Sequence, residues 1–369
     1  MKPIFSPYFA DISITPVCNY KCSFCSASAD VSHEKRIKII SLDRIEKLFY
    51  ELDTLGILRI GFEGGEPFLR DDIIDIFHLA DKYHFNYFVN TNGSMINEEM
   101  AKRLGNTKIS SVYLSIDGPN SKLHDYCRGT IGAFEKVLEA NRYLQQENVN
   151  VRGIFTLTKL NADYILDTLE LYRDIGISKA AIMLLATVGS ASNELYVDFE
   201  KWTEILIALS EKKLSGELPV NLKIVPTGES KHSWELFLPL KTIGKTEYLD
   251  LWINNDTIET TSKDDYACTA GRDNLSIDGY GNVYGCSLMT SYKELSAGNI
   301  LDDSLLNIWE NSKIFNLFRK LKLKDVLGKC NSCDELYNCR AGCRVCAYGL
   351  TKKINGSDLR CPIAKGEKL

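Results

Sequence analysis

The sequence has no long hydrophobic run. Its first residues, MKPIFSPYFADISITP, lack the continuous apolar segment of a signal peptide, and no later stretch approaches the roughly 18 apolar residues that a membrane-spanning helix needs. It also has no basic stripe for a phosphate backbone, because the net charge is -5 and both signs are interspersed. These absences predict a cytoplasmic protein that binds neither membranes nor nucleic acid.

Cysteine is the residue type that the chain has in excess. With 369 residues, 44% of them hydrophobic, the protein is long enough for a large and a smaller domain. It contains 12 cysteines. In a reducing cytoplasm these are poor candidates for disulfides and better ones for metal ligands or catalysis.

Strand-like and helix-like segments alternate through the first 210 residues or so. Strand-like runs such as NYFVNT and KAAIMLL are separated by helical patterns, one of which opens at Ser41, a residue suited to an N-cap. Six such units predict an α/β fold with parallel strands, in a partial (β/α)6 barrel that resembles an incomplete TIM barrel. We place this barrel at 1–225, a bridging region at 226–265 and a second domain at 266–369.

Unusual motifs follow the first four predicted strands. Cys18, Cys22 and Cys25 follow the first strand, and EGGEP (63–67) follows the second. TNG (91–93) ends the third strand and SIDGP (115–119) ends the fourth. Because the carboxyl ends of parallel strands meet at one edge, these motifs are predicted to form a single site.

The spacing of the three cysteines suits an iron-sulfur cluster. A cubic 4Fe-4S cluster normally takes four thiolates, so three ligands leave one iron open to a small molecule. A zinc half-site completed by a remote histidine is the alternative. Zinc would not explain the motifs at the other strand ends.

Together these motifs resemble those of the radical S-adenosylmethionine (radical SAM) superfamily. The resemblance implies that SAM binds the open iron and that one electron from the cluster produces a 5′-deoxyadenosyl radical. It implies that GGEP meets the methionyl amine, Arg128 its carboxylate, and SIDG the ribose or the methionyl end. Phe24 and one of two leucines would lie near the adenine. The implied SAM contacts are Phe24, Gly64, Gly65, Glu66, Pro67, Thr91, Asn92, Ser115, Asp117, Arg128, Leu184 and Leu185.

Eight further cysteines lie in the last hundred or so residues. Cys330-x2-Cys333 and Cys343-x2-Cys346 would suit a zinc knuckle if taken alone. The whole array instead resembles the SPASM domain, which implies two auxiliary 4Fe-4S clusters and three clusters in all. The implied ligands are Cys268, Cys286 and Cys343 for the first auxiliary cluster, and Cys330, Cys333, Cys339 and Cys361 for the second.

Two positions differ from those of the sulfatase-maturing relatives. Where these relatives have a fourth thiol for the first auxiliary cluster, this chain has Asn274. The cluster therefore has either an open iron or Cys346 as its fourth ligand. Where they carry a proton-accepting aspartate, this chain has Ser287, which argues against oxidation of a sulfatase.

The resemblance implies radical modification of a peptide or protein, especially maturation of a ribosomal peptide by hydrogen abstraction and cross-linking. An open iron that bound a substrate cysteine would predict a thioether. The alternatives are oxidation or rearrangement of a small molecule or cofactor precursor, and a non-enzymatic electron carrier. We expect an external electron donor such as flavodoxin or ferredoxin. Because 17 residues precede Cys18, we also expect a separate leader-binding protein or another docking surface.

Overall fold

The computed structural model describes residues 7–29, 39–228, 230–253 and 262–367. Ten strands of these residues form one sheet. They are β1 (Phe9–Ser13), β2 (Arg59–Glu63), β3 (Asn86–Thr91), β4 (Ser111–Ser115), β5 (Val151–Leu157), β6 (Lys179–Leu184), β7 (Asn221–Val225), β8 (Asn274–Ile277), β9 (Asn282–Tyr284) and β10 (Gly298–Asn299).

Strands β1 to β7 are consecutive, parallel neighbours in this sheet. The predicted partial barrel with parallel strands is therefore confirmed. Along β1 and β2, side chains alternate between the surrounding helices and the barrel lumen, as the pleat requires. Ile12 and Phe62 are fully buried on the helix side, whereas Asp11 and Glu63 are only half-buried and face the lumen.

Helices cover the outer face of the sheet. The predicted N-cap is confirmed, because the Ser41 side chain accepts a hydrogen bond from the Arg44 amide. The helices are α1 (Leu42–Thr54), α2 (Ile73–Ala80), α3 (Glu98–Gly105), α4 (Ser121–Arg128), α5 (Ala133–Gln146), α6 (Ile165–Asp174), α7 (Phe199–Ser215), α8 (Trp234–Thr242), α9 (Leu305–Asn311), α10 (Lys313–Lys320), α11 (Leu336–Cys339), α12 (Arg344–Thr351) and α13 (Pro362–Lys365). No helix in the described ranges is long and apolar enough to span a membrane.

Helix α4 was not predicted from the sequence. Its buried residues are His124, Cys127 and Arg128, so it lacks the apolar stripe that identifies an amphipathic helix. Its ends are nevertheless defined, because the Asn120 side chain accepts from the Leu123 amide and Gly129 ends the helix at φ 62°.

The cysteine-rich part of the chain continues the barrel sheet. Strand β8 pairs in parallel with β1, and β9 and β10 add antiparallel strands beyond it. Helix α8 lies in the stretch that reads poorly from sequence, and its backbone accepts a hydrogen bond at Glu235 from the Trp202 indole of α7 at 2.6 Å. Residues 229 and 254–261 of the bridging region lie outside the described residues.

Candidate active site and cysteine clusters

The three N-terminal cysteines lie on the loop that follows β1. Cys18 is buried, while Cys22 and Cys25 are half-buried. The Tyr20 amide donates to the Cys18 sulfur at 3.4 Å, and the Cys25 amide donates to the Cys22 carbonyl at 3.3 Å. Burial raises the pKa of Cys18 to about 12, so its thiol is protonated in the metal-free chain. A bound iron would remove that proton, since metal-ligating thiols are deprotonated.

Two glycines bring other strand ends against this loop. The Gly65 amide donates to the Thr15 carbonyl at 2.8 Å, and a Cβ at Gly65 would lie 2.0 Å from the Val17 carbonyl oxygen. After β6, Gly189 has φ 66°, and a Cβ there would lie 2.3 Å from the Ser26 carbonyl oxygen. Only glycine permits both approaches.

Glu66 joins the ends of β2 and β3. Its carboxylate is buried and accepts from the Thr91 hydroxyl at 2.6 Å, the Asn92 amide at 2.8 Å and the Phe68 amide at 3.1 Å. The Asn92 side chain in turn donates to the Asn19 side chain of the cysteine loop at 3.0 Å. Glu66 therefore holds two strand ends and the cysteine loop in one hydrogen-bonded unit.

Arg128 lies beside the cysteines. One of its terminal nitrogens is 3.8 Å from the Cys22 sulfur, and the other pairs with the Asp117 carboxylate. Its guanidinium carbon lies 5.5 Å from the centre of the Phe24 ring. The Arg128 Nε atom is buried and has no hydrogen-bond partner among the described residues, so a donor remains for a ligand. Asp117 is held in place by the Thr156 amide at 2.7 Å.

His124 is a member of this site that the sequence analysis missed. Its Nδ1 atom accepts from the Asp117 amide at 3.1 Å. Burial, with a smaller contribution from the Arg128 charge, lowers the pKa of His124 to about 3. The imidazole is therefore neutral at physiological pH. The turn between β4 and α4 brings His124 to the Asp117 amide. No spacing rule for histidine would have indicated this contact.

The two leucines that end β6 occupy different environments. Leu185 packs with Phe24 and with Cys127, which is fully buried as predicted, whereas Leu184 belongs to the main barrel core. Among the remaining predicted contacts, Pro67 begins a short buried turn over Pro67–Leu69. Ser115 is half-buried at the end of β4.

The C-terminal cysteines form two groups. Cys330, Cys333, Cys339 and Cys361 line one cavity together with Trp234 and other apolar residues of α8. Cys268, Cys286 and Cys346 each lie close enough to Cys343 for the thiols to affect one another's pKa. The neighbouring Cys346 thiol lowers the pKa of Cys343 to about 7. Asn274 begins β8 and pairs with Phe9 across the sheet.

These thiols are not arranged for a single metal ion. Within the described ranges, no three His, Cys, Asp or Glu side chains converge closely enough to hold one. A cubic cluster distributes its ligands over separate irons, and an all-thiolate donor set suits iron-sulfur chemistry. The residues therefore fit the clusters that the sequence implies.

Comparison with known families agrees with this arrangement. A family described as the radical SAM superfamily matches residues 12–184, and one described as an iron-sulfur cluster-binding domain, SPASM, matches residues 268–334. The chain contains a radical SAM domain followed by a SPASM domain. It is thus a radical SAM enzyme, and SAM and 4Fe-4S clusters are the cofactors that these two domains imply.

Individual relatives have different activities. The chain is 25% identical over 356 residues to an AdoMet-dependent heme synthase of Methanosarcina barkeri, covering 96% of both chains. It is 26% identical over 350 residues to mycofactocin maturase MftC of Mycobacterium tuberculosis, covering 94% of this chain and 81% of that protein.

Solved structures share the fold. Streptococcus suis SuiB bound to its precursor peptide SuiA superposes with a TM-score of 0.76 at 18% identity, over 98% of this chain and 76% of SuiB. The protein anSMEcpe with bound AdoMet superposes with a TM-score of 0.69 at 19% identity, over 97% of this chain and 95% of its own.

Proposed function

We propose that this radical SAM enzyme modifies a peptide or protein substrate by hydrogen abstraction and cross-link formation. The mycofactocin maturases among its relatives support this assignment. The heme synthases are matched equally well, and they make modification of a tetrapyrrole-type small molecule the second candidate.

One structural observation favours the peptide. The barrel lumen contains two carboxyl groups, Asp11 and Glu63, and burial raises the pKa of both. A substrate with several carboxylates would bring negative charge into a lumen that already disfavours the ionised forms of Asp11 and Glu63, which is unfavourable where solvent screening is weak. A neutral or basic peptide segment would not meet this repulsion.

Cys18, Cys22 and Cys25 would hold the cluster that binds SAM, and SAM bound there supplies a 5′-deoxyadenosyl radical when one electron arrives. The chain provides the surroundings of that chemistry. Arg128 has an unpartnered Nε–H that suits a carboxylate acceptor. Phe24 and Leu185 form an apolar wall that excludes water beside the cysteines. Glu66 keeps the strand ends in register with the cysteine loop.

We also propose three clusters, with Cys346 as the fourth ligand of the first auxiliary cluster. Cys346 is fully buried, and it and Cys343 shift each other's pKa, so the two thiols lie close together, which supports this role. With four thiolates from the chain, no iron remains open for a substrate cysteine. We therefore assign electron transfer to this cluster, with electrons from an external donor, and do not retain the thioether hypothesis.

The experiment is a substrate test under anaerobic conditions. Reconstituted enzyme, SAM and a chemical reductant are incubated with synthetic peptides encoded by the neighbouring reading frames, and in parallel with an iron porphyrin that carries carboxylate side chains. We expect mass spectrometry to show loss of hydrogen from a peptide and no change in the porphyrin. Conversion of the porphyrin alone would refute the peptide assignment.

A further inference from the structure

Two carboxyl groups lie on the lumen face of the neighbouring strands β1 and β2. Asp11 lies in the middle of β1, and Glu63 ends β2 two register pairs further along, on the same face of the sheet. Gly61 is the direct neighbour of Asp11, and a Cβ at Gly61 would lie 2.8 Å from an Asp11 carboxylate oxygen. The absence of a side chain at Gly61 thus leaves the Asp11 carboxylate room inside the lumen.

Among the described residues, neither carboxyl group forms an ion pair. No Lys, Arg or His nitrogen in the described part of the chain lies within 4.0 Å of either carboxyl group. Arg59 is the cation that acts on Asp11, but its guanidinium lies over the Phe88 and Phe9 rings, 4.8 Å and 5.7 Å from their centres. Ionisation of the pair therefore lacks a direct counter-ion among the described residues, and a cationic ligand would favour it.

Two hydroxyl groups complete the arrangement. The Ser287 hydroxyl lies close enough to both carboxyl groups to lower the pKa of each, although it comes from the residue after Cys286 in the SPASM domain. Ser276 of β8 is the register partner of Asp11 on the other side, so its side chain points to the same face. It is fully buried, and its hydroxyl has no hydrogen-bond partner among the described residues. A buried hydroxyl without a partner indicates that a polar group of a ligand belongs beside it.

We propose that Asp11, Glu63, Ser276 and Ser287 form a site for a primary ammonium group of the substrate. The inference rests on the proposed function, because it assigns a lysine side chain or a free amino terminus to the peptide that enters the barrel. An ammonium group is compact and has three donors, which suits two carboxylates and a hydroxyl acceptor. Its charge also offsets the repulsion between the two carboxylates.

The test measures binding of small amines to the reconstituted enzyme by anaerobic titration calorimetry. The probes are n-butylammonium, which stands for a lysine side chain, glycinamide, which stands for an amino terminus, and neutral n-butanol. We expect at least one amine to bind and n-butanol not to bind. The better amine identifies which part of the peptide enters the site.

Three variants locate the binding. Asp11→Asn and Glu63→Gln each keep the side-chain shape and remove one of two like charges, and each should weaken amine binding at least tenfold. Asp75→Asn changes an exposed carboxylate of α2 and should leave binding unchanged. The visible absorption of the clusters checks that each variant is folded.

Several outcomes would overturn the inference. These are equal binding of n-butanol, unchanged amine binding in both lumen variants, or displacement of the amine by Mg²⁺ at equal concentration, which would indicate a metal site. The measurement needs no turnover. Amine binding without conversion of any peptide would therefore refute only the proposed function, and peptide conversion without amine binding would refute only this inference.

Discussion

Glu66→Gln is the substitution whose effect the structure defines most closely. The ionised carboxylate accepts three hydrogen bonds, two on Oε1 from Thr91 and Phe68 and one on Oε2 from Asn92. Glutamine has the same shape but only one oxygen. If that oxygen serves Thr91 and Phe68, the NH₂ group faces the Asn92 amide, and two buried donors are left without acceptors.

The expected cost follows from these two donors. A buried donor without a partner costs about 1–3 kcal/mol, so two cost about 2–6 kcal/mol. Part of this cost is offset, because burial of the ionised Glu66 carboxylate is itself unfavourable, and the neutral glutamine avoids that penalty. The raised pKa of Glu66 reflects the same effect of burial. We expect a loss near 3 kcal/mol. At roughly 2.1 cal/mol/K of unfolding entropy per residue, this corresponds to a melting temperature lower by about 4 °C.

The assay is thermal unfolding of the anaerobically reconstituted enzyme, followed by circular dichroism. Glu46→Gln is the matched control, since Glu46 forms an ion pair with Lys82 in which both side chains are more than half exposed. That pair should contribute less than about 1 kcal/mol. SAM binding should weaken in Glu66→Gln as well, because Asn92 contacts Asn19 of the cysteine loop. Equal melting temperatures for the two variants would refute this account of Glu66.

Three further predictions concern pH, SAM cleavage and iron content. Burial lowers the pKa of His124 from 6.5 to about 3, so its contribution to stability is complete above pH 6.5 and falls by up to about 1.4 kcal/mol per pH unit below it. Urea titrations from pH 7 to pH 4 should show this slope, and His124→Asn, which keeps an acceptor for the Asp117 amide, should flatten it; an unchanged slope would contradict the assignment. Cys22→Ala should abolish reductive cleavage of SAM, whereas Cys333→Ala should retain some cleavage and lose product formation; equal, complete loss in two folded variants would contradict this division. Iron analysis should find about twelve irons per chain, and Cys346→Ala should alter the electron paramagnetic resonance spectrum of one auxiliary cluster; zinc in place of iron would contradict the cluster assignment.

The candidate site was predictable wherever a short stretch of chain carries its chemistry. Three thiols within eight residues can ligate one cluster whatever the rest of the chain does, because the loop itself holds them together. The alternation of apolar runs likewise determined the parallel strands, since each run must bury one or both faces. The positions of GGEP and TNG at the strand ends followed from the same reasoning, because each motif comes directly after such an apolar run.

Contacts between distant segments were decided only by the tertiary structure. The ion pair of Arg128 with Asp117, and the contact of His124 with the Asp117 amide, depend on α4, whose polar sequence shows no helical stripe. The pairing of β8 with β1 sets Ser276 beside Asp11, although 265 residues separate them along the chain. No local pattern specifies such a pairing, because strand register depends on the packing of the whole sheet.

The proposed ligand role of Cys346 shows the same limit. Its spacing from Cys343 allowed either a zinc knuckle or a fourth cluster ligand. Spacing shows which residues are close along the chain but not which groups their side chains face. The structure places its thiol close to Cys343, which also lies near Cys268 and Cys286. Sequence therefore determined the type of chemistry, through residue identity and local spacing, and tertiary packing decided which distant groups act on it.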